Sequence, residues 1–292
     1  MRRLIINADD FGLTTGVNRA IIEAHSQGVV TSTTLMANGP AFEDAVQQAR
    51  SSSKLSVGCH VVLVDGSPIL NGSQVSTLMD SHSKNGTRFR DSLGSFAKSA
   101  LLGRFEGEQI EAEATAQIRR LQSAGITVSH FDTHKHTHMF PGALRPLLRA
   151  AKACGIRAVR NPFTPWLPVF VPPRAWKRCL EIRVLHKLAG TFRRIVHDHG
   201  ILSPDGTFGI AATGALNLEL LQRIVERIPE GTWEFVCHPG YHDGELDKIR
   251  TRLRESRAEE LKVLMSAAAR EALAQRGIEL ISYRDFAALV VG

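Results

Sequence analysis

Short apolar runs alternate with amphipathic stretches along most of the chain. The first run, residues 3–8, is followed by a helical pattern over 16–27 that ends at Gly28, and the same order returns several times. The predicted strands are 3–8, 31–36, the run that ends at His60, the run that ends at His134, 157–160, the run that ends at His238, and 279–282. The predicted helices are 16–27, 41–50, 107–124, the helix that begins at Pro141 and stops at Gly155, 216–228 and 251–276.

Strands that alternate with helices in this way predict an α/β protein with a parallel sheet. The pattern shows no sign of a reversal in strand order, which favours a closed or nearly closed (β/α) barrel. An open parallel sheet is the alternative.

Two stretches interrupt the alternation. Residues 65–105 are rich in Gly, Ser and polar side chains, which predicts a long loop over the ends of the strands. Residues 161–215 are an irregular, Pro-rich and basic insertion. No linker divides the chain, and its 292 residues suit one large domain, so we expect a single domain over 1–292.

The composition predicts a globular protein with a full core, since 43% of the residues are hydrophobic and 22% are charged. No run approaches the roughly 18 apolar residues of a membrane-spanning helix. The apolar start, residues 1–6, is cut off by Asn7 and the carboxylates after it, which argues against a signal peptide. The four cysteines form no C-x-x-C pair, which is typical of reduced thiols, so we expect a cytoplasmic protein.

The net charge of +7 raises the question of an anionic partner. The basic residues are spread out, without an aromatic RNA-binding motif, a zinc finger or a lysine tract, so we expect no nucleic-acid partner. One basic concentration lies at 173–194, where Trp176 and Leu180 begin an apolar stripe. The favoured interpretation is a helix packed on the sheet with a solvated basic face. The alternative is an interfacial helix in peripheral contact with anionic lipid headgroups of the inner membrane.

The first apolar run ends in two adjacent carboxylates. Residues 7–12 (NADDFG) directly follow residues 4–6 (LII). An unpaired buried charge costs several kcal/mol, so such a strand end cannot bury its carboxylates without partners. Adjacent residues of a strand point to opposite faces, so we expect Asp9 and Asp10 to have different functions.

Three further predicted strands end in histidine, at His60, His134 and His238. The carboxyl ends of parallel strands meet at one rim, which is where barrels and open α/β sheets assemble their sites. Cys59 and Cys237 precede two of these histidines, and alternation points both thiols the other way, into the core. The sequence therefore predicts an enzyme site at the rim.

An aspartate with two histidines can hold a divalent ion and leave coordination positions open, and Asp10, His60 and His134 fit this role. Such an ion acidifies water and polarises a carbonyl, as amide hydrolysis requires. Asp9 is the predicted general base, and His238 is the predicted acid that protonates the leaving amine. Imidazole ligands favour Zn²⁺, whereas the carboxylate and the open positions favour Mg²⁺ or Co²⁺, so the identity of the ion is undecided.

Four segments together resemble the YdjC-type carbohydrate deacetylases in order and spacing: 7–13 (NADDFGL), 58–63 (GCHVVL), 131–138 (FDTHKHTH) and 237–239 (CHP). The resemblance runs from residue 3 to residue 285 or so. It implies a distorted (β/α) barrel related to the polysaccharide deacetylases and hydrolysis of an N-acetyl group from an amino sugar. By motif match, the resemblance gives the metal ligands Asp10, His60 and His134, the base Asp9 and the acid His238.

Residues 61–70 (VVLVDGSPIL) and 208–210 (FGI) resemble landmarks of the branch associated with hopanoid biosynthesis. This finer resemblance implies an N-acetylglucosaminyl-hopanoid lipid as the substrate. The alternative is a soluble N-acetylated oligosaccharide such as a chitooligosaccharide. Lys135 occupies a position that is often His in the chitooligosaccharide branch, so the substrate class is open.

Three more residues, Arg160, His136 and His138, are predicted to bind the substrate. The run 134–138 presents three histidines on one face if it is extended, or His134 and His138 if it is helical. The assignment of His134 as a ligand therefore comes from the resemblance. Arg160 is predicted to orient Asp9 or to contact the acetylated sugar, and a plain surface ion pair is the alternative.

Two other classes of function are open. A metal phosphoesterase uses similar Asp and His clusters, but it usually needs more carboxylates to bridge two ions. A catalytically inactive barrel that binds sugar or lipid needs no base beside a metal ligand. The presence of both Asp9 and Asp10 argues against such a barrel.

Overall fold

The computed structural model describes residues 1–80, 88–164 and 187–289. The strands are β1 (Arg2–Phe11), β2 (Ser32–Leu35), β3 (Ser56–Val61), β4 (Phe131–Thr133), β5 (Thr207–Phe208), β6 (Gly231–Cys237) and β7 (Ile278–Leu280). The α-helices are α1 (Thr15–Ser26), α2 (Phe42–Ser51), α3 (Leu93–Leu101), α4 (Gly107–Ser123), α5 (Pro141–Ala153), α6 (Ala189–Asp198), α7 (Leu218–Arg227), α8 (Gly244–Asp247), α9 (Glu255–Met265), α10 (Ala267–Gln275) and α11 (Tyr283–Leu289). Two 3₁₀ helices cover Gly72–Leu78 and His134–Met139.

The strands form one parallel sheet that curls into a distorted barrel. Their order is β4-β3-β2-β1-β6-β5, and β7 pairs with the first residues of β1. Beyond β4 the hydrogen bonding continues through irregular chain, since Phe131 N donates to Ala158 O (3.1 Å) and Ala158 bridges to Leu202. Further along the same irregular chain, Phe163 O accepts a hydrogen bond from Thr207 N of β5 (3.1 Å). The predicted fold class, a distorted (β/α) barrel, is confirmed.

The central strand β1 separates two apolar layers. Leu4 and Ile6 belong to the main cluster, which also contains the buried faces of the helices. Ile5 points the other way and packs with Tyr283 in a second cluster on the inner face of the curled sheet. Because side chains alternate along a strand, Asp9 shares this inner face with Ile5.

The predicted helix 251–276 is divided in the structure. Ser266 has an extended backbone (φ −70°, ψ 146°) that ends α9 and precedes α10. Its Oγ accepts a hydrogen bond from Ala269 N (3.1 Å), which caps the start of α10. The predicted continuous helix is therefore two helices, and Ser266 caps the second of them.

Two other segments also differ from the prediction. The predicted loop 65–105 contains a 3₁₀ helix and α3, whose N-terminus is capped by Ser92 Oγ as acceptor from Ser95 N (3.2 Å). The predicted strand 157–160 forms single parallel bridges at Ala158 and Val159. It continues the barrel without forming a regular strand.

Most of the basic segment 173–194, including Trp176, lies outside the described residues, so both interpretations of it stay predictions. Its described end enters α6, where Phe192 is buried and Arg193 and Arg194 are exposed. Over this short part the helix packs with its basic residues outward. In the described ranges, none of the helices combines the length and apolar character needed to cross a membrane.

Candidate active site

A cavity of about 790 Å³ opens where the central strands end. It is lined by six of the predicted site residues: Asp9, Asp10, His60, His134, His136 and His238. Cys59 and Cys237, which precede two of these histidines, are fully buried. A cavity of this volume is typical of small-molecule sites.

Both carboxylates at the end of β1 reach this cavity, so the expectation that they point to opposite faces is wrong. Asp10 has a φ of 69°, in the left-handed region, and the register of β1 against β2 shifts between Ala8 and Phe11. Such an irregularity re-aims a side chain at the end of a strand. Aspartate is one of the few residues that tolerate this conformation. The local turn therefore brings Asp10 beside Asp9.

Three donor atoms in the cavity have the spacing of metal ligands. Asp10 Oδ1 lies 3.6 Å from His60 Nε2 and 3.5 Å from His134 Nδ1, and the two imidazole nitrogens are 3.3 Å apart. Ligands about 2.0–2.2 Å from an ion in tetrahedral or octahedral geometry are roughly 2.8–3.6 Å from one another. These residues therefore fit a single divalent ion.

Asp132 orients His60. Its Oδ1 lies 2.7 Å from His60 Nδ1, which leaves Nε2 directed at Asp10 and His134. A carboxylate behind a ligating imidazole fixes its tautomer and increases its basicity. Burial opposes a charge on His60, but the surrounding carboxylates, Asp132 first, outweigh it and raise the pKa of His60 to about 9. The site therefore favours positive charge at this point.

Asp9 is held from inside the barrel by Arg160. Nη1 of Arg160 donates to Asp9 Oδ2 (2.8 Å), and Nη2 donates to Oδ1 (2.6 Å). Burial alone would raise the pKa of Asp9, but the guanidinium more than offsets this, so the pKa lies well below its ordinary value. Asp9 is therefore a fixed, ionised carboxylate that also lines the cavity.

Arg160 is 0% exposed and binds three carboxylates. Besides Asp9 it contacts Asp132, and its Nε donates to Glu234 Oε1 (2.8 Å). The Tyr283 hydroxyl donates to the second oxygen of Glu234 (2.6 Å). The alternative of a surface ion pair for Arg160 is wrong, because the guanidinium is enclosed. Its contact with the substrate stays a prediction. The structure shows the contact with Asp9.

A second set of donors, Asp9, His60 and Asp132, is also close enough to hold an ion. Arg160 fills this space, since its guanidinium binds both Asp9 and Asp132. A cation beside the guanidinium would be repelled by it. The Asp10 set is therefore the site that the geometry favours. In the described part of the chain this arrangement disfavours a two-ion phosphoesterase.

His238 lies next to Asp9. It is 9% exposed, and its Nε2 is 3.8 Å from Asp9 Oδ2. Its Nδ1 has no hydrogen-bond partner among the described residues. The backbone N of His238 donates to Glu260 Oε2 (2.6 Å), which holds the chain just beyond β6.

The run 134–138 is neither extended nor α-helical. It forms a 3₁₀ helix in which Lys135 (φ 55°) and His136 (φ 56°) are left-handed. His136 lines the cavity, and its pKa is lowered to about 3, chiefly by burial. His138 is fully buried with Nδ1 2.7 Å from Thr133 Oγ1. His138 does not line the cavity in the described structure, and its role in substrate binding stays a prediction.

An ion pair forms part of the cavity wall. Lys135 Nζ lies 2.5 Å from Asp65 Oδ2, and Asp65 also has a left-handed backbone (φ 57°). Behind it, the Glu113 carboxylate accepts from Ile69 N (2.8 Å) and Leu70 N (3.0 Å), which fixes the loop. Left-handed residues held in this way are concentrated at functional sites.

Sequence reasoning missed four residues that support the site. Asp132 and Glu234 do carry a signal, because each is a lone carboxylate in a buried strand. Glu234 lies four residues before His238, and the alternation of side chains along a strand places both on the same face. Arg257 and Glu260 carry no comparable signal, since α9 contains many charged residues.

The barrel and the cavity define a site of the kind found in metal-dependent hydrolases: an Asp-His-His donor set beside a carboxylate and a histidine. Comparison with known proteins then gives the family. The model of the YdjC-like protein family matches residues 3–275. The chain belongs to the YdjC-like family.

Similar proteins match over nearly their whole length. A carbohydrate deacetylase of Geobacillus stearothermophilus is 34% identical over 288 residues, which are 98% of this chain and 98% of the relative. A carbohydrate deacetylase of Listeria monocytogenes is 31% identical over 292 residues, covering 97% and 99%. The crystal structure of an Enterococcus faecalis protein assigned to cellobiose-phosphate cleavage is similar with a TM-score of 0.76 and 28% identity, covering 98% of each chain.

Proposed function

We propose that the chain is a metal-dependent carbohydrate N-deacetylase, which hydrolyses the N-acetyl group of an amino sugar. The observation that carries this proposal is the placement of the three metal-type donors in one cavity with Asp9 and His238. The carbohydrate deacetylases to which the chain is similar support the class of substrate.

Asp10, His60 and His134 would hold the ion. The bound ion would act as a Lewis acid, which acidifies water and polarises the acetyl carbonyl. Asp9 accepts the proton of the attacking water. Arg160 keeps the Asp9 carboxylate ionised and fixed in direction through two hydrogen bonds. His238, whose Nε2 faces Asp9, donates a proton to the leaving amine.

The remaining wall of the cavity is largely apolar, and its apolar side chains include Met36, Phe163, Ile210 and Leu253. Such a wall suits the acetyl methyl group and the apolar face of a sugar ring, whereas the polar groups fix the orientation of the amide. The Asp65–Lys135 pair adds charged hydrogen-bonding groups for sugar hydroxyls on the same wall.

We infer further that the amino sugar is lipid-linked, as in an N-acetylglucosaminyl-hopanoid. The support is the resemblance of residues 61–70 and 208–210 to the hopanoid-associated branch, together with the volume and apolar lining of the cavity. A soluble chitooligosaccharide is the alternative substrate.

Release of acetate tests the proposal. The purified chain is incubated with soluble and lipid-linked N-acetylglucosamine compounds, before and after chelation and after a divalent ion is added back. We expect release that chelation abolishes and added metal restores, with the lipid-linked compounds preferred. Release that is indifferent to chelation would contradict the metal dependence. Binding of the sugars without release of acetate would favour the inactive barrel.

A further inference from the structure

Two charged side chains of α9 are buried against the site. Arg257 is 1% exposed and Glu260 is 2% exposed, and the two lie one helical turn apart. Arginine and glutamate are almost never fully buried unless they are paired. Each of them is paired here with a residue of the site.

Arg257 holds the metal-ligand carboxylate from α9, and it lines the same cavity. Its Nη2 donates to Asp10 Oδ2 at 2.5 Å, and its Nε donates to Leu253 O (3.2 Å). The other oxygen of the carboxylate, Oδ1, is the atom that faces His60 and His134. Arg257 therefore occupies one oxygen of Asp10 and leaves only the other for an ion.

Glu260 holds the residue predicted as the acid. Its Oε2 accepts from His238 N (2.6 Å), and its Oε1 accepts from Gly214 N (3.3 Å). The carbonyl of Arg257 also accepts from Gly240 N (3.2 Å), just beyond His238. The chain after β6 is thus attached to the same turn of α9 that holds Asp10.

We propose that Arg257 and Glu260 are positioning residues for the two halves of the site: Arg257 makes Asp10 a one-oxygen metal ligand, and Glu260 sets the position of His238. This inference rests on the proposed deacetylase function. Groups that orient a metal ligand contribute about 10–100-fold to metal affinity, although they never touch the ion. A bidentate Asp10 would also occupy a coordination position that substrate and water need.

The test for Arg257 is metal binding by the protein without substrate. Arg257→Met and Arg257→Lys are titrated with Co²⁺, and the visible spectrum of the bound ion is recorded. We expect affinity about 10–100-fold weaker in Arg257→Met, an altered spectrum as the second oxygen of Asp10 is freed, and partial recovery in Arg257→Lys, which retains a donor. Lys262→Met is the matched control, because Lys262 is an exposed residue of the same helix and pairs with Glu259.

Unchanged affinity and spectrum in folded Arg257→Met would overturn the role of Arg257. If circular dichroism shows that this variant is unfolded, Arg257→Lys decides, and wild-type binding by it with an unaltered spectrum would overturn the proposal. Because the titration needs no turnover, weaker metal binding in a chain that releases no acetate would leave the positioning role intact and reject the deacetylase function instead.

Glu260 is tested by a change in catalysis without a change in metal binding. Glu260→Ala should bind Co²⁺ like the wild type while kcat for acetate release falls and the limb of the pH profile that belongs to the acid shifts. Glu259→Ala, on the exposed side of α9, is the control and should change neither. Loss of metal affinity with an unshifted pH profile in Glu260→Ala would overturn the assignment to His238.

Discussion

The two neighbouring carboxylates of β1 are held by two buried arginines that approach from different layers of the molecule. Arg160 lies inside the barrel and donates to both oxygens of Asp9. Arg257 lies on α9 and donates to a single oxygen of Asp10. The two aspartates therefore have different surroundings. Arg160 binds both carboxylate oxygens of Asp9, whereas Arg257 leaves one carboxylate oxygen of Asp10 free.

The comparison explains how two adjacent aspartates can have different functions. Asp9, with both oxygens bound, is fixed as an ionised group beside His238. Asp10 keeps one oxygen directed at His60 and His134. In both cases the arginine also lowers the pKa of the carboxyl group, against the effect of burial, so that neither needs a bound cation to stay ionised.

Exchanging the carboxylates for amides should separate the two roles most clearly. We expect Asp9→Asn to keep its metal and lose roughly 10²–10⁴-fold in kcat, the usual contribution of a general base. Asp10→Asn should lose metal affinity first, with partial rescue of acetate release by excess metal. Rescue by metal of Asp9→Asn, with none for Asp10→Asn, would reverse the assignments.

Removing the inner arginine should act on stability as well. Arg160→Met leaves three carboxylates buried without their cation, and breaking such a buried network costs about 3–5 kcal/mol. Chemical denaturation measures the loss in the free energy of unfolding. The matched control is Arg223→Met on α7, whose partner Glu219 is exposed, so little change is expected. Equal losses in the two variants would contradict the account of Arg160.

The strand ends and the aspartate–histidine pattern could be predicted from the sequence, because period-two alternation and the parallel order bring His60, His134 and His238 to one rim. The direction of Asp10 could not, since it depends on a left-handed backbone at one residue. The partners Arg160 and Arg257 lie 151 and 247 residues from their aspartates. Contacts across such separations leave no local pattern.

Substitution in a less buried ion pair should have a smaller effect, which concerns the choice of substrate. Lys135 pairs with Asp65 in the cavity wall. Lys135→His places there the residue that is frequent in the chitooligosaccharide branch, so we expect kcat/KM to shift a few-fold toward soluble chitooligosaccharides, mainly through KM. Lys98→His, at an exposed position of α3, is the control. An unchanged ratio of soluble to lipid-linked turnover would separate Lys135 from substrate choice.

The smallest effect is expected from the basic residues of 173–194. If this segment contacts a membrane, each basic residue near anionic headgroups contributes about 1 kcal/mol, and binding falls as salt screens the charges. A Lys177/Arg178/Arg183→Glu variant should then co-sediment less with anionic vesicles at low salt than the wild type. Equal sedimentation would leave the segment as packing on the barrel, in contrast to the buried arginines of the site.

The metal content of His60→Ala tests the central claim most directly. His60 is oriented by Asp132 and lies between Asp10 and His134, so its loss should remove the ion while the fold is retained. We expect one divalent ion per chain in the wild type and in the control His197→Ala, which alters an exposed side chain, and none in His60→Ala. Acetate release should disappear with the ion. A folded His60→Ala chain that still holds one ion would contradict the account.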